Sequence, residues 1–175
     1  LMTSQMGDES GYLVTKDQPT KIAAMEAIWE THEAPAPLTL FAIPDEAAQT
    51  NHAQIDVPWL FGLMGTRSLS TEIPGIKELT AQAEQRIVNG QKAIGVLEQL
   101  RKDPANEQLR EQFLAVRDDL GFGLLLKRYT NDVNAATPEM IKQAAADTIP
   151  SVTPMFWSFR IMVGSGLAMA LVFVL

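Results

Sequence analysis

The 175-residue sequence contains no cysteine. Disulfides, iron–sulfur clusters and thiolate zinc sites are therefore excluded within it, and cysteine usage gives no redox address. Histidine is nearly missing as well. His32 and His52 are the only two, and neither stands at i, i+4 to another ligand type on a clear helix, so a metal site built on them is not indicated. Positive charge is scarce: 14 Lys and Arg face 21 Asp and Glu, a formal net charge of −7. Phosphate binding needs clustered bases, so a nucleic-acid partner is excluded. Docking of the polar part onto anionic lipid is disfavoured for the same reason. No G-x-S-x-G elbow, Walker loop or dinucleotide fingerprint occurs. The opening residues do not follow the basic-then-apolar pattern of a secretory leader.

What the chain does have is one long apolar run. Hydrophobic residues make up 46% of the whole, but they are concentrated at the C-terminus. Met155 to Leu175 reads MFWSFRIMVGSGLAMALVFVL, with Arg160 as its one charge. As a helix it spans about 31 Å, close to a hydrocarbon core. Pro150 and Pro154 suit a chain turning into a helix, and Phe156, Trp157 and Phe159 stand where rings favour the membrane interface. The expected division is an extramembrane region over residues 1–153 and a transmembrane helix over 154–175. The run stops without a polar flank, and LMTSQM at the front resembles a chain leaving an interface. The sequence thus reads as a segment of a larger membrane protein, cut within its last helix. Residues 135–154 carry Lys142 against Glu139 and Asp147. Cytoplasmic flanks are usually richer in bases, so the extramembrane region is expected outside the cytoplasm.

The polar part predicts a mainly α fold with short extended segments. Residues 7–15 (GDESGYLVT) have turn chemistry and predict a loop. A helix follows from about Pro19 to Glu30, with Ile22, Met25 and Trp29 on one stripe. Ala34-Pro35-Ala36-Pro37 ends it. Leu38–Ile43 and the stretch around Ile55 and Val57 have strand character, with a polar connection over 44–52. Trp59–Met64 is a short apolar segment expected to pack on the membrane face or the core. Residues 75–102 predict a long helix with Ile76, Leu79, Ala83, Ile87, Gly90, Ile94, Leu97 and Leu100 on its apolar face. Asp103-Pro104-Ala105 turns into a second helix to about Leu120, striped by Leu109, Phe113, Val116 and Leu120, so the two read as a helical hairpin. Gly121–Gly123 interrupts, and a last helix runs from Thr137 to about Ile149.

Four places could carry chemistry. Arg160 in an apolar helix either snorkels to the interface or holds an anionic partner at that depth. Met162 is a packing residue or, through its thioether, an axial haem ligand. Lys21 and Glu26, about 140° apart around a helix, are solvated charges or a pair suited to a hydroquinone: the carboxylate takes a hydroxyl proton and the ammonium orients a quinone oxygen. Arg67 is a weaker candidate of that kind. Gly164 and Ala168 form a small-xxx-small pair that lets another helix or a flat cofactor come close.

The stretches GDESGY (7–12), KIAAMEAIWE (21–30), TLFAIPD (39–45), GLLLKRYT (123–130) and FRIMV (159–163), in this order, resemble subunit I of cytochrome bd quinol oxidases. The resemblance covers about Gly7 to the C-terminus, and the helices over 75–120 resemble the insertion of the long-loop subgroup. It implies that Lys21 and Glu26 serve quinol binding and oxidation. Met162 would be the axial iron ligand of the low-spin b-type haem, with Arg160 beside that haem. It further implies a high-spin haem b and haem d elsewhere in the subunit, ubiquinol or menaquinol as substrate and oxygen reduced to water. The implied partners are the rest of subunit I, subunit II, small subunits and membrane lipid. The implied place is the bacterial inner membrane, with the loop periplasmic. The reading from a different class is a tail-anchored helical interaction protein without catalysis.

Overall fold

A computed structural model describes residues 2–68 and 70–175. Leu1, part of the front stretch expected to leave an interface, lies outside the described residues. The fold is mainly helical with one two-stranded sheet. It divides into two compact units, Leu1–Leu79 with Ile149–Leu175, and Thr80–Thr148.

In the first unit, α1 spans Met2–Asp17 and α2 spans Pro19–Glu26. The expected loop over 7–15 is therefore helical. Its polar side chains turn inward on their own helix instead of making turns: Ser10 Oγ donates to Met6 O at 2.7 Å and Thr15 Oγ1 to Gly11 O at 2.9 Å. A distant residue also holds it, since Arg67 bonds Glu9 at 3.0 Å and lies 4.7 Å over the Tyr12 ring. Tertiary contacts of this kind outweigh local turn propensity. α2 starts with Pro19 in its first turn and stops earlier than expected. Ala27 adopts a left-handed conformation (φ 51°) and its N–H returns to the carbonyls of Ala23 and Ala24. Glu26 is thus the last helical residue, and Trp29 lies beyond the helix, buried, with its indole N–H on Asn51 Oδ1 at 2.8 Å.

β1 (Leu38–Asp45) and β2 (Thr50–Val57) pair antiparallel, with Leu38 opposite Val57 and Asp45 opposite Thr50. The connection is tighter than expected because Asp45 Oδ1 accepts from the N–H groups of Ala47 and Ala48, an Asx-type turn. In the Trp59–Met64 segment Phe61 is buried while Trp59 is exposed, and a π-helical turn follows over Gly62–Thr66. α7 spans Val152–Val174, starting slightly before the expected span. Glu46, from the hairpin turn, accepts the N–H of Thr153 at 2.9 Å and so serves one of the free donors at its N-terminus. Ile22, Ala23, Ala24, Phe61, Ile76 and Phe156 belong to the core. The two alanines are wholly buried and let α2 lie close to its neighbours. Among the described residues, α7 is the one helix long and apolar enough to cross a bilayer.

In the second unit, α3 (Ile76–Lys102, its residues from Thr80 onward) precedes α4 (Glu107–Val116), α5 (Leu120–Leu124) and α6 (Pro138–Ala146), with 3₁₀ turns between. Asn106 caps α4 through the Leu109 N–H at 3.1 Å, and Thr137 caps α6. Ile87 and Leu126 are wholly buried. α4 buries no residue completely; the expected stripe of Leu109, Phe113 and Val116 is half-buried. The segment after the glycine interruption is fixed by Asp147, which accepts from Arg128 at 2.9 Å and from the Tyr129 hydroxyl. A Cβ on Gly90 would lie 2.3 Å from the Asp119 carbonyl oxygen and from the Gly123 nitrogen. Gly90→Ala is therefore expected to cost about 1–3 kcal/mol. Thermal unfolding of the intact protein checks this, and an unchanged midpoint would contradict the close approach.

Candidate functional site

The site forms where the first three turns of α7 meet the end of α2 and the start of β1. Arg160 lies on the third turn of α7, and its side chain is 14% exposed. Its guanidinium is held on several sides. Nη2 meets Glu26 Oε2 at 2.8 Å and donates also to the Thr39 carbonyl, while Nη1 donates to the Met25 carbonyl. The guanidinium carbon lies 3.7 Å over the Phe156 ring, a cation–π contact in a partly desolvated place. Phe156 itself is fully buried and meets Trp157 edge-on, which in turn meets Phe41 of β1 at 5.3 Å between ring centres. Arg160 therefore does not snorkel to water. It holds an anionic partner, and that partner is Glu26.

Glu26 is 4% exposed. It sits on the last turn of α2, where carbonyls gather and favour no anion. Burial pushes its carboxyl up to about 7, and the Arg160 guanidinium pulls it back only in part. A buried carboxyl needs a partner when charged, and Arg160 supplies one. The result is a carboxyl near neutrality in its proton affinity, the range that suits a general base.

Lys21 stands on the exposed face at the start of α2, one turn and a half from Glu26. Its ammonium and the Glu26 carboxyl share no hydrogen bond among the described residues, as their angular separation implies. Arg67 is engaged with Glu9 and Tyr12 on α1, not with Glu26. His52 lies on β2 near Asp45 at 3.4 Å, and His32 makes a backbone bridge with Ile73.

Met162 is two residues beyond Arg160 and 62% exposed. Two residues on a helix turn the direction by about 200°, so its thioether faces away from the Glu26 side. Gly166, one turn further on the same face, has no neighbouring atom within 4 Å of where a Cβ would stand, and neither does Gly164. Met162 thus borders a flat strip of helix surface at Gly166, whereas Gly164, about 200° round the helix, lies on the Arg160 side. A soft thioether next to such a strip fits a flat iron macrocycle.

Two partners of Arg160 carry no signal in the sequence. The Met25 and Thr39 carbonyls are backbone groups, and the Arg160–Glu26 pair spans 134 positions. The one hint is Thr39, a buried polar side chain on a strand, whose hydroxyl donates to Asp56 at 2.8 Å.

The family model of cytochrome bd terminal oxidase subunit I matches residues 1–175. The chain is 39% identical over 170 residues to cytochrome bd-II ubiquinol oxidase subunit 1 of Escherichia coli, covering 97% of the chain and 33% of that protein. It is 26% identical over 156 residues to cytochrome bd ubiquinol oxidase subunit 1 of Bacillus subtilis, covering 89% of the chain and 21% of that protein. The chain thus spans a third or less of the length of these relatives. These matches replace the alternative of a tail-anchored interaction protein without chemistry. A buried carboxylate–guanidinium pair at the mouth of a membrane-length helix, an open methionine just beyond it and a match along the entire sequence lead to one assignment: this chain belongs to the cytochrome bd terminal oxidase subunit I family.

Proposed function

We propose that this chain is the quinol-oxidising region of a terminal respiratory oxidase, on the periplasmic side of the bacterial inner membrane. The observation that carries this is Glu26. It is a buried carboxyl with its proton affinity raised to about 7, placed where an apolar helix begins. Quinol oxidation releases two electrons and two protons, and each hydroxyl proton needs an acceptor as its electron leaves. Glu26 takes a hydroxyl proton at one carboxyl oxygen and passes it outward. Lys21, exposed on the same helix, orients a quinone oxygen through its ammonium.

Met162 would hold a low-spin b-type haem by its sulfur. When bound, that haem would supply one-electron acceptor chemistry for quinol, with a high-spin haem b and haem d elsewhere in the subunit for the reduction of oxygen to water. Arg160 keeps a positive charge at the same shallow depth, which favours added negative charge nearby. Met162 lies about 15 Å along the helix from Val152, so the gap to a substrate at the mouth is short. The ligands for the other haems come from the rest of subunit I. Subunit II, small subunits, lipid and ubiquinol or menaquinol complete the partners.

Lys21→Ala tests the substrate contact. It removes an orienting cation without touching the buried pair. KM for quinol is expected to rise about tenfold, the loss of one hydrogen bond to a charged group, with kcat changed less. Steady-state oxygen uptake by the purified full-length oxidase measures it, and an unaltered KM would remove Lys21 from the site.

A further inference from the structure

We propose that Arg160 is a positioning residue for quinol oxidation: it locks α2 and β1 onto the mouth of α7 and holds the Glu26 carboxyl as an ion pair until that carboxyl receives a proton. This rests on the assignment of Glu26 as the proton acceptor.

The geometry is asymmetric in a useful way. Arg160 has further acceptors besides Glu26, the Met25 and Thr39 carbonyls, and a ring face on Phe156. A guanidinium does not lose its proton in proteins. Arg160 therefore stays charged and in place whether or not Glu26 is ionised. Glu26 has the reverse situation. Among the described residues, Arg160 is the one charged group that acts on it. Of the neighbouring elements, α7 presents Arg160 alone. The sheet presents Asp56, bonded to the Thr39 hydroxyl and not to Glu26. Its own helix carries Lys21, which is exposed. The fixed part of the device is the arginine, and the titrating part is the carboxyl.

Two consequences follow. First, removing the cation leaves desolvation unopposed, so Glu26 keeps its proton to higher pH. Second, the planar fork serves carboxylate and carbonyls from one rigid group, which a compact ammonium does less well. Lysine should thus restore the charge but not the full placement.

The test is the pH profile of quinol oxidation by the full-length oxidase, with kcat and KM separated and haem content measured as the control for assembly. In Arg160→Gln, the acid limb of kcat/KM is expected to move up by about 1–3 pH units, with activity recovering at alkaline pH. Arg160→Lys is expected to move it in the same direction by less. A redox-difference infrared spectrum gives a readout independent of turnover: the carboxyl band that Glu26→Gln abolishes should persist to higher pH in the Arg160 variants. An acid limb at the wild-type pH, in whichever variant assembles with its haems, would overturn the proposal. Failure of the underlying assignment looks different. If Glu26→Gln oxidises quinol normally, Glu26 is not the acceptor, whatever Arg160 does. If Glu26→Gln is inactive and the Arg160 variants keep the wild-type limb, only the positioning role falls.

Discussion

Glu26→Gln is expected to lower quinol oxidation by the full-length oxidase about 10²–10⁴-fold, the usual contribution of a positioned general base, while all haems stay bound. The substitution is close to isosteric. An amide oxygen can still accept from the Arg160 Nη2 that now meets Glu26 at 2.8 Å, so the joint of α2, β1 and α7 keeps its hydrogen bonds. What the amide cannot do is take a proton. The loss should therefore fall on kcat and kcat/KM together, as expected for an interaction made in the transition state. Glu26→Ala differs. It would leave Arg160 buried beside a cavity without its counter-charge, a defect that costs about 3–5 kcal/mol in buried pairs, and it mixes a folding effect with the chemical one. Oxygen uptake with native quinol, next to the haem spectrum, separates the two. Full activity in Glu26→Gln would contradict the role.

Met162→Leu is expected to abolish the normal low-spin b-haem signal in the redox difference spectrum and leave the other haem signals in place. Leucine preserves volume and helix propensity. In this chain the Met162 side chain is 62% exposed, so no packing of the described residues depends on it. A change confined to the low-spin b-haem signal, with the other haem signals intact, reports the loss of sulfur from iron. Thioether ligation tends to raise a haem's reduction potential, so whatever haem remains in the variant should be harder to reduce by quinol. An unaltered spectrum would show that Met162 is a packing residue that faces lipid or a neighbouring helix, and the flat strip around Gly166 would then belong to helix packing.

These two residues also show what the sequence can reveal. The long apolar helix was legible because length and apolarity act locally, and its start differs only at the cap, where Glu46 from a distant turn takes the Thr153 N–H. α6 was legible from Thr137 and Pro138, and the strands from their β-branched and aromatic residues. The helix over 7–15 was not, because its stability comes from Arg67, more than fifty positions away, acting on Glu9 and Tyr12. The end of α2 was misplaced by four residues for a different reason. Ala27 at φ 51° carries no sequence mark, since alanine rarely adopts that conformation. Glu26 and Arg160 each stood out alone, one through the family resemblance and one as a charge in an apolar run. Their pairing did not. A contact across 134 positions that uses backbone carbonyls as its other partners has no periodicity to read.

The central claim is that a buried carboxyl near neutrality, held by a fixed guanidinium, collects the quinol proton. The most direct test is the pH dependence of quinol oxidation in the wild-type oxidase set against Glu26→Gln. An acceptor must be ionised to work. The rate should thus be full above about 7, where Glu26 loses its proton, and fall toward tenfold per pH unit below it as the carboxyl fills. The account predicts one such limb near 7 in the wild type and none in the residual activity of Glu26→Gln. A wild-type rate that stays level from pH 5 to pH 9, or a limb that survives in Glu26→Gln, would contradict it.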